Sequence, residues 1–305
     1  MAKVILDVDT GVDDAVAIIL ALNSPELEVM GITTVAGNVN VERATENTLK
    51  IVEFMGRNTP VFPGMGRPLW GELREDRESH GESGLGDAIL PSPKLKPEAC
   101  HAMDFVLQSI DVWGKELTIV ATGPLTNLAM TILKEPQVAL KVGRIISMGG
   151  YFGLTPYGRG NVLPFSEFNV FTDPLAADIV YHSGIEVIAT GLDVTMNPRA
   201  QVDGQTYEEI GKMKTRNALL FTSLLGRLLV KEGAISLHDP LALSYAISSS
   251  ILKTKRCTVE VELQGELTRG QTVVLEEDTE RGINVAFDVD GEQFLSLIHE
   301  RVLWR

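Results

Sequence analysis

Residues 3–26, KVILDVDTGVDDAVAIILALNSPE, decide how the rest of the chain is read. An apolar run ends at Asp7, an uninterrupted apolar stretch begins after Asp14, and between them Asp7, Asp9, Asp13 and Asp14 crowd around Gly11. A short buried strand followed at once by a helix is the opening half of a βαβ unit. Carboxylates this close repel one another unless a cation, a proton or a strong set of donors absorbs the charge, so the turn points to a hard metal ion. Asp is also a preferred helix cap, and Asp13 alone could serve as one; four acids exceed what capping needs.

The same pattern recurs along the chain. LEVMGITTVAGN, ELTIVATG, RIISMGGYFG and IEVIATGLDV each read as a strand running into a polar or glycine-rich turn, with helical stretches such as VERATENTLKIVEFMG and PLTNLAMTILKEP between them. Alternation of this kind predicts an α/β fold, an open and mostly parallel sheet flanked by helices, with its chemistry at the carboxyl ends of the strands. Residues 71–97 and 151–164 lack periodicity and read as long loops. Residues 206–233 read as one long helical region and HDPLALSYAISSS (238–250) as another. From Lys255 the pattern becomes β-rich (CTVEVELQG, QTVVLEE, INVAFDV) before a short terminal helix. No repeat or linker divides residues 1–305, which are expected to form a single domain.

The 41 acidic and 27 basic residues leave a formal charge of −14, which disfavours nucleic acid or an anionic membrane as partner. No segment reads as a membrane span or a cleavable leader, so a cytoplasmic protein acting on a small molecule is expected. Cys100 and Cys257 lack metal-site or disulfide spacing. An EF-hand beginning at Asp7 fails, because Val12 and Ile18 stand where glycine and glutamate are required. A magnesium phosphotransferase of the haloacid dehalogenase type also uses DxD at a strand end, but Gly11 occupies the position where that pattern carries Thr or Val. A nucleoside-binding protein with a structural cation is the nonenzymatic alternative.

Taken in order, DVDTGVDDAVAI, TTVAGNV, HGESGLG, ATGPLTNLA, MGG, EFNVFTDP and HDP resemble the inosine-uridine-preferring nucleoside hydrolases over nearly the whole chain. The resemblance implies calcium-dependent hydrolysis of the N-glycosidic bond of ribonucleosides, a role in purine and pyrimidine salvage, and a homodimer or homotetramer. It further implies that Asp9, Asp14, Asp239 and the Thr122 carbonyl hold the calcium, that Asp9 activates the attacking water, and that His238 assists the departing base, with His80 as a second donor. Asp13 would receive the ribose 2′ hydroxyl, Asn169 the 3′ hydroxyl, and Asn161 with Glu167 the 5′ hydroxyl; Asn38 and Met148 would complete the substrate site. Where some relatives stack an aromatic residue on the base, FTSLLGRLLVKEG (221–233) offers only Phe221.

Overall fold

A computed structural model of the chain describes residues 1–280 and 282–304. The chain runs through β1 (Ala2–Val8), α1 (Val12–Asn23), β2 (Leu27–Thr34), α2 (Val41–Phe54), β3 (Val61–Pro63), α3 (Arg77–His80), α4 (Ala102–Trp113), β4 (Leu117–Ala121), α5 (Thr126–Lys134), α6 (Pro136–Ala139) and β5 (Arg144–Met148). It continues through α7 (Phe168–Thr172), α8 (Pro174–Tyr181), β6 (Val187–Thr190), α9 (Leu192–Thr195), β7 (Gln201–Asp203), α10 (Gly204–Met213), α11 (Arg216–Glu232), β8 (Ala234–Ser236) and α12 (His238–Ile247). It ends with β9 (Leu252–Val261), β10 (Thr272–Glu277), β11 (Ile283–Val289) and α13 (Gly291–Ile298).

A nine-stranded sheet is ordered β10-β9-β11-β6-β5-β4-β1-β2-β3. Pairing is parallel from β3 through to β11, and only the β11–β9 and β9–β10 pairs are antiparallel. The predicted α/β sheet is therefore present. The β-rich tail joins it directly: Asn284 and Val285 of β11 pair with Ile188 and Ala189 of β6. From β1 the chain first winds towards β2 and β3, then returns to build β4, β5 and β6 on the other side. The order thus reverses between β1 and β4, and a crevice opens at the carboxyl ends of strands at such a point.

Side-chain alternation places Val4, Leu6 and Val8 of β1 in the core on one face of the sheet and Ile5 in the core on the other. Helix α1 is buried along its length except at Leu22. That is why its sequence is apolar all round rather than amphipathic. Each fully buried aliphatic side chain contributes roughly 1.5–3 kcal/mol relative to exposure, so α1 holds the acidic turn against β1 rigidly.

The loop at 71–97 contains only the single turn of α3, and 151–164 forms no helix or strand apart from an isolated bridge at Leu163. The expected long helix over 206–233 is two helices. Lys214 takes a left-handed conformation (φ +55°), and Thr215 caps α11 by accepting from the Ala218 N–H at 3.1 Å.

Candidate active site

The acidic turn divides into distinct environments. Asp7 lies beneath it, its Oδ1 accepting from Thr33 Oγ1 (2.6 Å) and Asn127 Nδ2 (2.7 Å), with Oδ2 unpartnered. Burial pushes its pKa up to about 6. Asp9 receives the Asn38 backbone N–H at 2.6 Å and Asn38 Nδ2 at 3.2 Å. A Cβ on Gly37 would stand 2.0 Å from Asp9 Oδ2, so that approach requires glycine. Burial first, and the Asp14 carboxylate second, raise the Asp9 pKa well above its ordinary value.

Asp14, not Asp13, caps α1: its Oδ2 accepts from the Gly11 N–H at 2.9 Å, while Oδ1 accepts from Thr122 Oγ1 at 2.7 Å. Asp13 instead lies against the amino end of α12, with a carboxylate oxygen within 4.8 Å of one of Asp239. Burial and the Asp14 charge raise the Asp13 pKa to about 7, and burial with Asp13 and Asp14 raises that of Asp239.

A narrow cleft of about 70 Å³ opens over this group. Asp13, Asn38, Thr122, Met148, Asn161, Glu167 and Asn169 line it. Asn169 Nδ2 donates to the Thr122 carbonyl at 2.7 Å and the Met148 carbonyl at 3.2 Å. Glu167 caps α7, accepting from the N–H groups of Asn169 (2.8 Å), Val170 (3.0 Å) and Gly150 (3.0 Å). Burial raises its pKa against the pull of those donors.

His80 and His238 line the cleft as well, with Asp76, Ser79, Leu228 and Glu232. His80 Nδ1 accepts the Val12 N–H at 3.1 Å, which puts the proton of the neutral ring on Nε2. Gly11 makes room for this ring, since a Cβ there would lie 2.3 Å from Nδ1. His238 Nδ1 meets Thr195 Oγ1 at 2.8 Å. Burial, with His80 adding to it, lowers the His238 pKa to about 4.

Of the residues expected at the site, Phe221 is not brought there. It is 1% exposed in the core beneath α11 and does not line the cleft. Asp9 and Asp14 are fully buried under the floor rather than on the wall. Phe168, Asp76, Ser79, Leu228 and Glu232 carry no mark in the spacing of the sequence. Only the fold carries them to the cleft.

Oxygen atoms of Asp13, Asp14 and Asp239 all lie within 4.8 Å of one another. Two oxygens sharing a calcium ion at 2.3–2.6 Å can be at most about 5 Å apart, so the group fits a hard cation. No ion pair links these acids to a basic side chain among the described residues, leaving their charge to a cation or a proton. Asp9 stands outside the closest trio, although its charge is felt by Asp239.

Fold and site define an α/β protein with a buried acidic centre at the switch point of its sheet. Residues 4–296 match the family model described as inosine-uridine preferring nucleoside hydrolase, and the chain belongs to that family. It is therefore a hydrolase of nucleoside N-glycosidic bonds. The pyrimidine-specific ribonucleoside hydrolase RihA of Photobacterium profundum is 37% identical over 311 residues, covering 98% of each chain. The structure of a purine-preferring ribonucleoside hydrolase from Gardnerella vaginalis superposes with a TM-score of 0.90 at 33% identity, covering 98% of each chain. The plant nucleoside hydrolase PpNRh1 gives 0.91 at 34% identity, covering 100% of this chain and 99% of its own. Among the described residues no helix is long and apolar enough to cross a membrane.

Proposed function

We propose that the protein hydrolyses ribonucleosides to ribose and free base with calcium held by Asp9, Asp14, Asp239 and the Thr122 carbonyl. The observation that supports this most is the trio of buried carboxylates, which have no basic partner among the described residues. When bound, calcium supplies positive charge that polarises water and orients the ribose hydroxyls. Asp9 accepts the proton of the attacking water. Attack by water without a covalent sugar intermediate inverts C1′.

Asp13 accepts from the 2′ hydroxyl and Asn169 receives the 3′ hydroxyl. Asn161 and Glu167 face the 5′ hydroxyl, while Asn38 and Met148 hold the neighbouring surfaces. Buried carboxylates around the sugar also favour its developing positive charge. His238 and His80 act on the departing base. With Thr195 donating to Nδ1, neutral His238 presents its Nε2–H as the hydrogen-bond donor. His238→Ala is expected to cut turnover of natural nucleosides by about 10²-fold and that of an activated aryl riboside far less. Equal losses on both would remove His238 from leaving-group assistance.

The broader reading is tested by incubating ribonucleosides with the protein in phosphate-free buffer. Free base and ribose in equal amounts are expected. A strict requirement for phosphate would instead identify a phosphorylase. We also propose a cytoplasmic, single-domain subunit that pairs into a homodimer or homotetramer, supported by the exposed Ile89 and Leu219 of one surface hollow. A monomer in sedimentation at working concentration would contradict the assembly.

A further inference from the structure

Two carboxylates, Asp76 and Glu232, line the cleft together with His80, His238 and Leu228. Glu232 is the last residue of α11, immediately before Gly233, whose φ of +79° closes the helix. Negative charge at that end faces the exposed carbonyls and is unfavourable for the helix. Among the described residues Glu232 forms neither a hydrogen bond nor an ion pair. Lys231 and Arg159 are near enough to act on it electrostatically, but Lys231 donates to Ser79 Oγ at 2.9 Å and approaches Glu78 at 3.7 Å. Glu232 is exposed and lines the cleft, so its carboxylate is free to meet a ligand there.

Asp76 lines the same cleft as Glu232. Its Oδ1 caps α3 by accepting the Ser79 N–H at 3.1 Å. Burial works against its charge, but the Ser79 donors, with His80 and Lys231 nearby, outweigh that and hold its pKa below the ordinary value. Capping engages one oxygen. Leu228 supplies the apolar surface beside these acids.

We propose that Asp76 and Glu232 read the leaving base by accepting hydrogen bonds from an exocyclic amino group, so that cytidine is a better substrate than uridine and adenosine better than inosine. This rests on the ribonucleoside hydrolase reading and on the base facing His80 and His238. An ionised carboxylate only accepts. It therefore rewards an amino group and opposes the lone pairs of the oxo group that replaces it, giving attraction and repulsion in the same comparison.

The experiment measures kcat/KM for both nucleoside pairs in the wild type, Asp76→Asn, Glu232→Gln and the double variant, with melting temperatures as a folding control. Asn keeps a capping oxygen at position 76, and Gln removes the charge that opposes the helix dipole at position 232. The wild type is expected to favour the amino partner of each pair. The double variant should lose that ratio by about tenfold or more and gain on uridine, since an amide can donate to an oxo group. A wild-type ratio at or below one, or an unchanged ratio in the double variant, overturns the inference while leaving nucleoside hydrolysis intact. Failure to release base from any nucleoside overturns the hydrolase reading itself, and this inference with it.

Discussion

Asp9→Asn is expected to lower kcat by about 10²–10⁴-fold, the contribution of a positioned general base, without unfolding the protein. Asparagine keeps an oxygen for the Asn38 N–H that now reaches Asp9 at 2.6 Å, and it removes one charge from a buried group of like charges. The melting temperature of the chelated variant should therefore equal or exceed that of the wild type. KM should change less than kcat, because the proton is taken as the water attacks and not when the nucleoside binds. Turnover near the wild-type level in a folded, calcium-loaded Asp9→Asn protein would transfer the base role to another residue.

Chelation should make stability depend strongly on pH, in the direction opposite to ordinary acid denaturation. Asp13 is raised to about 7 and Asp7 to about 6, with Asp9 and Asp239 also raised. In the unfolded chain these acids titrate near 3.8. Between those values the folded protein binds more protons than the unfolded one, so this contribution falls as pH rises through the folded pKa values. Without a cation the melting temperature should drop by several degrees between pH 5 and pH 8. Calcium at pH 8 should restore it, by binding only the folded state. A chelated protein whose stability rises over this interval would contradict the burial of four like-charged acids at one centre.

Much of this was legible because β1 and α1 are apolar on all sides and end at acids that no core tolerates without compensation. Strand periodicity located β2, β4, β5 and β6, and the order of motifs brought Asp9, Asn38, Glu167, Asn169 and Asp239 towards one end of the sheet. What escaped had no local signature. The break at Lys214 carries neither glycine nor proline, so the residues around it read as continuous helix. Phe221 was the sole aromatic residue in its stretch, yet helical phase turns it into the core. Capping fell to Asp14 instead of Asp13 because the N–H that needs a partner belongs to Gly11, three residues back. Asp76 and Glu232 are separated by about half of the chain and line one cleft because α3 packs beside the end of α11, a contact held by Lys231 and Ser79.

The acidic centre as a calcium site is tested most directly by base release from a good nucleoside substrate, first after exhaustive chelation and then during titration with calcium. Activity should vanish with the ion and return in proportion to one bound calcium per chain, and Asp239→Asn should weaken that titration. Full activity in the chelated protein, confirmed free of metal by elemental analysis, would contradict the account.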